Sequence, residues 1–134
     1  MHKLIKEWFR NDLMGVPGDE DGGGMSSFVV FSYLGFYPVT PGLPIYSIGS
    51  PGFEHATIDV GDGIRFEIEA EGASVENKYI QSVRLNGEEI NGPWILHDDI
   101  MKGGKLIIEM GPRANKSWGT DPELYNTLVK SISE

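Results

Sequence analysis

A run of acidic residues and glycines near the start of the chain is the segment best suited to chemistry. Residues 17–26 read Pro-Gly-Asp-Glu-Asp-Gly-Gly-Gly-Met-Ser, so three consecutive carboxylates, Asp19, Glu20 and Asp21, precede three glycines. Adjacent carboxylates repel one another, and placing them together costs stability unless something binds there. Glycine lets the backbone adopt a positive φ and lets a ligand approach closely. A solvated surface loop would have the same composition, so composition alone leaves both interpretations open.

Three kinds of chemistry could use this loop. A calcium loop of the EF-hand type would start with Asp19 and Asp21, but Val30 then occupies the position where a bidentate glutamate is required. A Mg²⁺ site could combine two carboxylates with a substrate phosphate, although the sequence has no phosphate-cradling loop. In general base catalysis, one carboxylate takes a proton from water while a neighbour two residues away orients that water. The EF-hand interpretation fails, and the other two stay open.

The segments on both sides of the loop must hold it in place. Residues 3–13 predict an amphipathic helix, because apolar side chains recur at spacings of three and four: Leu4, Ile5, Trp8, Phe9 and Leu13. Residues 25–34 are apolar nearly all round and end at Gly35, which predicts a short buried helix with a glycine C-cap. Their β-forming residues make a buried strand the alternative. A loop joined directly to a packed element is held firmly, as a positioned catalytic group requires.

The rest of the chain has the period of two that is typical of strands. Apolar and polar residues alternate over 55–60, 65–70, 79–85 and 106–110. Asn86-Gly87 predicts a hairpin turn, and residues 120–132 have the pattern of a helix. The predicted fold class is therefore α+β, with an antiparallel β-sheet layer packed with a few helices as a two-layer α/β sandwich. Helices are expected at the N- and C-terminal ends.

The net charge and the amino-acid composition argue against several classes of binding partner and binding site. The 134 residues carry a formal net charge of −9, which argues against nucleic acid and against an anionic membrane surface as partners. The chain has no cysteine, so disulfides and thiolate metal sites are excluded. No apolar run approaches the roughly 20 residues that a membrane span needs, so membrane insertion is not expected. The residues after Met1 lack an apolar core, so we expect no signal peptide within this chain.

Several ordered blocks of the sequence resemble one family. Residues 16–26 and 30–42, which hold the loop and most of the segment after it, look like the C-terminal part of glycoside hydrolase family 92, whose members are calcium-dependent exo-α-mannosidases. The likeness continues in these later blocks: 46–51, 77–82 with 85–87, 94–95 with His97, and 110–112 with Asn115 and 118–119. It covers residues 15–119 in all, which is far more specific than one short motif.

This resemblance implies an inverting mechanism on mannose-rich glycans such as N-glycans, with Asp21 as the general base and Asp19 as its partner or the alternative base. It implies that the general acid, a glutamate, and most ligands of the Ca²⁺ ion come from upstream β-sandwich and (α/α)6 barrel domains of the same protein. Residues 1–36 would then be the end of the barrel with the base-bearing loop, 37–119 an antiparallel sheet region and 120–134 a C-terminal helix. The chain alone is expected to be inactive, and the parent enzyme to be periplasmic, at the cell surface or secreted.

A non-catalytic reading is the alternative. The chain could be a carbohydrate-binding or purely structural β-rich domain, in which Trp94 and Trp118 stack on sugar rings. The cluster of His97, Asp98 and Asp99 could suggest a metal site, but turn residues that hydrogen-bond to their own backbone are the favoured interpretation.

Overall fold

A computed structural model describes residues 2–133, with side chains placed as far as Lys130 of the last helix. Within this range the four helices are α1 His2–Trp8, α2 Gly24–Leu34, α3 His97–Met101 and α4 Glu123–Ser133. The strands are β1 Phe36–Tyr37, β2 Ile45–Ile48, β3 His55–Gly61, β4 Ile64–Glu71, β5 Tyr79–Leu85, β6 Glu88–Glu89, β7 Trp94–Leu96 and β8 Gly104–Gly111. The predicted α+β class, with helices at both ends, is confirmed.

The strands form two sheets instead of one layer. Strands β1, β2 and β7 make a small antiparallel sheet, and the larger sheet has the order β3-β4-β8-β5-β6. Its pairs are antiparallel except β4 with β8, which run parallel with Phe66 opposite Gly104. The larger sheet is therefore mixed. A parallel pair needs a long crossover, and here β5, β6, β7 and α3 lie between the two strands in the chain.

The core lies against the central strands of the larger sheet. Phe66 and Ile68 of β4, Val83 of β5, and Leu106 and Ile108 of β8 are almost fully buried. These side chains alternate with exposed or half-buried neighbours, as the period of two predicts. Burying side chains of this size stabilises the fold by roughly 1.5–3 kcal/mol each.

Strand β5 departs from strict alternation. An unbroken period of two would place Tyr79 and Gln81 on the same face as Val83. The pairing of β5 with β8 shifts register between Ile80 and Ser82, so that Ile80 packs against the core while Tyr79 is exposed. Gln81, the extra residue, donates hydrogen bonds from Nε2 to the carbonyl oxygens of Tyr79 at 3.0 Å and Arg113 at 2.8 Å. A β-bulge thus moves the inward face by one residue.

The predicted hairpin is confirmed. Asn86 and Gly87 join β5 to β6 with φ angles of 51° and 90°. Positive φ at both central residues is the type I′ arrangement, whose twist matches that of the flanking strands. The Asn86 side chain also accepts a hydrogen bond from the Lys105 backbone N–H at 2.8 Å, which ties the hairpin to β8.

The helices are less buried than their sequence pattern predicts. Helix α1 ends at Trp8, and of its predicted stripe Ile5 is buried, whereas Trp8 is 62% exposed and Leu13 fully exposed. Residues 25–34 are helical as predicted, with Gly35 as a left-handed C-cap, but Val30 is 57% exposed. In α4, Val129 is exposed as well. Leu13 lies beyond the end of α1, whereas the other three exposed side chains lie on the surfaces of their helices.

Among residues 2–133, no helix combines the length and the apolar character that a membrane-spanning helix needs.

Candidate active-site loop

The acidic loop connects α1 to α2 and enters α2 through two glycines in the left-handed region. Gly22 and Gly23 have φ angles of 62° and 78°, values that side chains of L-residues disfavour. The backbone N–H of Gly24 donates to the carbonyl oxygen of Asp21 at 3.4 Å. The run of glycines therefore serves a tight reversal of the chain directly after the last carboxylate.

Aromatic packing fixes helix α2 against its neighbours. The Phe28 ring lies 6.1 Å from Phe9, just after α1, and 5.8 Å from Tyr37 in β1. The Phe31 ring lies 5.8 Å from Tyr37 and 6.1 Å from Tyr46 in β2. Because ring pairs of this kind add to the free energy of burial, the helix that follows the loop is held on two sides.

The two candidate bases are accessible and unpaired. Asp19 and Asp21 are both exposed, and neither carboxylate forms an ion pair or a side-chain hydrogen bond with another residue in the range 2–133. Glu20 behaves differently, because its carboxylate accepts hydrogen bonds from Met25 and Ser26 at the start of α2. The structure therefore separates three neighbouring carboxylates into two free groups and one engaged group.

Sequence reasoning missed the engagement of Glu20. The usual signal for a helix cap is a Ser, Thr, Asp or Asn immediately before the first turn. Here that position is Gly23, which has no side chain to offer, and the cap comes from three residues earlier. The available signal was that neither Gly22 nor Gly23 has a side chain to cap the helix, which leaves the preceding carboxylates as the candidates.

The described residues do not fit a metal ion. Nowhere in residues 2–133 do three or more His, Asp or Glu side chains come close enough together to hold one. In the His97 cluster, Asp99 accepts a hydrogen bond from the Leu96 backbone N–H at 3.0 Å, and His97 Nδ1 lies 3.1 Å from the Tyr46 hydroxyl. These contacts tie α3 to its own backbone and to β2, and the described residues offer no cluster of ligands for calcium.

The two tryptophans of the alternative interpretation take part in internal packing. Trp118 is half-buried, donates from Nε1 to the carbonyl oxygen of Ile90 at 3.0 Å and packs against the core. Trp94 lies 5.3 Å from the Tyr125 ring of α4, and a Cβ on Gly92 would fall only 2.7 Å from its indole. Both side chains thus hold loops and α4 against the sheets.

Comparison with known proteins identifies the family. Residues 1–112 match the model of the glycosyl hydrolase family 92 catalytic domain. A protein of Arthroderma benhamiae described as an uncharacterized secreted glycosidase is 37% identical over 122 residues, which are 89% of this chain and 16% of that protein.

Solved structures agree in fold over the same region. The family GH92 inverting mannosidase BT2199 from Bacteroides thetaiotaomicron superimposes with a TM-score of 0.82 at 36% identity, over 90% of this chain and 16% of that one. The α-mannosidase BT3965 of the same organism, solved with mannoimidazole, gives a TM-score of 0.84 at 31% identity. This chain spans about 16% of the length of each of these relatives. It belongs to glycosyl hydrolase family 92.

Proposed function

We propose that this chain is the C-terminal part of an inverting exo-α-mannosidase and supplies its general base, Asp21, with Asp19 as the partner or alternative base. The family assignment and the mannosidase activity named for its solved relatives support this function. The substrate class is a mannose-rich glycan, such as the N-glycan of a glycoprotein. The observation that carries the assignment is a free, exposed carboxylate directly before a helix that aromatic packing holds in place.

Asp21 performs one proton transfer in this mechanism. Its carboxylate takes a proton from water while the water oxygen bonds to the anomeric carbon on the face opposite the leaving group. The bond from that carbon to the glycosidic oxygen breaks, and a general acid gives a proton to the leaving oxygen. Acid and base carboxyls in inverting enzymes stand about 6.5–9.5 Å apart, which leaves room for the water. The acid is proposed to be a glutamate outside this chain.

Rigid support distinguishes this loop from an ordinary solvated one. The helix after Asp21 is pinned by Phe28 and Phe31, and the segment before it is closed by the Arg10 N–H bonded to Gly15 O at 2.8 Å. A base must be held within a fraction of an ångström of its water, and such supports are how proteins achieve this. A loop with no positional task would not need them.

The surface beside the loop supports the proposal that other domains complete the site. Large apolar side chains that lead into the loop are exposed: Trp8, Leu13, Met14 and Val16. Exposed apolar surface of this kind usually marks an interaction site. We assign it to the β-sandwich and (α/α)6 barrel of the same protein, with residues 1–36 as the end of the barrel, residues outside this chain holding Ca²⁺, and a periplasmic, cell-surface or secreted location.

The test is Asp21→Asn in the full-length protein that contains this chain, assayed on an aryl α-mannoside. Loss of a general base typically lowers kcat by about 10²–10⁴-fold. Asp19→Asn, measured in parallel, identifies which carboxylate is the base. Asp62→Asn is the matched control, because Asp62 is also exposed, beside Gly63, and has a φ of 53° that asparagine tolerates.

Proton NMR of the first product provides the second readout. An inverting enzyme releases β-mannose from an α-mannoside before the anomers equilibrate. Wild-type turnover by Asp21→Asn and Asp19→Asn, both folded, would refute the assignment of the base to this loop. Release of α-mannose would refute inversion.

A further inference from the structure

The carboxylate of Glu20 caps helix α2. Its Oε1 accepts from the Met25 backbone N–H at 3.1 Å, and its Oε2 accepts from the Ser26 backbone N–H at 3.0 Å and from the Ser26 hydroxyl at 3.1 Å. The first N–H groups of a helix have no hydrogen-bond partner within the helix. They lie at the positive end of the helix dipole, which favours a negatively charged group nearby. Charge-assisted bonds of this type are stronger than neutral ones.

The cap replaces one that the sequence cannot supply locally. Gly23 occupies the N-cap position and makes no side-chain bond, and its left-handed φ of 78° turns the chain into the helix. Two positive-φ glycines, Gly22 and Gly23, leave this segment with wide conformational freedom when nothing holds it. The three hydrogen bonds that the Glu20 carboxylate accepts bridge those glycines and close residues 20–26 into a hydrogen-bonded ring.

This ring bears on the candidate bases because Glu20 lies between them in the chain. Its backbone is bonded directly to Asp19 on one side and to Asp21 on the other. Fixing the Glu20 side chain to α2 therefore restricts where both carboxylates can stand relative to a helix that aromatic packing already immobilises.

We infer that Glu20 is a positioning residue, whose cap on α2 sets the place of the Asp21 carboxylate. The inference rests on the proposed function, in which Asp21 is the base. Glu20 itself has its carboxylate turned to the helix and is not assigned contact with water or sugar. Misplacing a catalytic group by about 1 Å can cost about 10²-fold in rate, so the effect of losing the cap falls on kcat.

Conservative and drastic substitutions separate positioning from catalysis. Glu20→Gln keeps the length of the side chain and an oxygen that can accept from the helix, whereas Glu20→Ala removes the cap. For a positioning residue, glutamine restores much of the rate that alanine loses. For a base, glutamine and alanine are equally damaging, because an amide cannot take the proton.

The experiment compares Glu20→Ala, Glu20→Gln and Ser26→Ala in the full-length protein, with Glu88→Ala on β6 as the control for removing an exposed glutamate. Steady-state kinetics on an aryl α-mannoside give kcat and KM, and hydrogen exchange reports the amides of Met25 and Ser26. Expected for Glu20→Ala is a fall in kcat of about 10–100-fold with KM little changed, together with faster exchange of both amides. Glu20→Gln is expected to lie nearer wild type in both measurements, and Ser26→Ala, which loses only the hydroxyl bond, to change less than Glu20→Ala.

Two results would overturn the inference: unchanged exchange at Met25 and Ser26 in Glu20→Ala, or equal losses of kcat in Glu20→Ala and Glu20→Gln. The exchange measurement does not depend on activity. If Asp21→Asn and Asp19→Asn retain turnover, the proposed function fails while the cap itself is still tested by exchange. If Asp21→Asn is inactive but Glu20→Ala keeps wild-type kcat, only the positioning role fails.

Discussion

Two adjacent glycines at the start of α2 should respond to the same substitution in opposite directions. A Cβ added at Gly23 or at Gly24 would meet no atom within 4 Å, so steric contact does not distinguish the two positions. Their backbone conformations do, because Gly23 has a φ of 78° and Gly24 is the first residue of the helix. The pair therefore isolates the cost of left-handed backbone from every other effect of adding a methyl group.

The expected magnitudes follow from the backbone alone. A left-handed conformation costs an alanine about 1–2 kcal/mol. Restricting the unfolded chain recovers about 0.4–1 kcal/mol. Gly23→Ala should therefore lower the free energy of unfolding by about 1 kcal/mol, while Gly24→Ala should raise it by about 0.5–1 kcal/mol, the usual preference of a helix for alanine over glycine. The two variants are expected to differ by about 1.5–2 kcal/mol.

Urea denaturation followed by tryptophan fluorescence measures this difference in the 134-residue chain. The slopes of the two unfolding curves must agree, since only then does a shift in midpoint report stability. Gly22→Ala, at a φ of 62°, provides a repeat of the unfavourable case. If Gly23→Ala were as stable as Gly24→Ala, the left-handed entry into α2 would be wrong, and with it the geometry on which the Glu20 cap depends.

Two further outcomes are expected. The Glu69 pKa is lowered by its hydrogen bond and charge interaction with Lys105, and the Lys105 pKa is raised by the same contact. The ionised Glu69 carboxylate therefore contributes fully to the free energy of unfolding at pH values above the pKa of an unperturbed glutamate. This contribution is lost as the pH falls through the lowered pKa. The difference in melting temperature between wild type and Glu69→Gln should shrink from about pH 7 to about pH 3, and a constant difference across that range would contradict the pairing. The purified 134-residue chain should not hydrolyse an aryl α-mannoside, because in the proposed mechanism the general acid lies outside it. Turnover that survives purification and disappears in Asp21→Asn would show that the chain holds a complete site.

Local patterns predicted most of the secondary structure. Alternation located β3, β4, β5 and β8, because the inward side chains of a half-buried strand must be apolar. Asn86-Gly87 predicted its turn, since few residue pairs tolerate two positive φ angles. Gly35 predicted the end of α2 for the same reason. Each of these signals is read from neighbouring residues alone.

Features that depend on distant residues were not predictable. The parallel pairing of β4 with β8 is decided by the whole connection between them, and alternation is the same for parallel and antiparallel neighbours. The bulge at Gln81 is stabilised by a bond to Arg113, which no local pattern indicates. The exposure of Trp8 and Val129 also went unpredicted, because periodicity marks an apolar face without saying what packs on it.

The sequence predicts a functional role for this loop and separate roles for Asp21 and Asp19, but it does not predict the hydrogen bonds of Glu20. Three acidic residues in a row have nearly the same chemistry, and only the structure shows that the middle one is bonded to α2. That result follows from the positive-φ glycines bringing Glu20 back over the helix start. That this segment is functional stays a prediction from residue type, while the structure adds that Glu20 is hydrogen-bonded and that Asp19 and Asp21 are exposed.

Strand β8 lies in the middle of the larger sheet, although it is the last of the sheet's strands in the chain. Hairpin β3-β4 and hairpin β5-β6 both precede it in the chain, and each uses β8 as its neighbour on the inner side. Without residues 104–111, β4 and β5 would each have an unpaired edge in this sheet, next to their apolar side chains. During synthesis the nascent sheet is thus most vulnerable to wrong pairing just before its middle strand arrives.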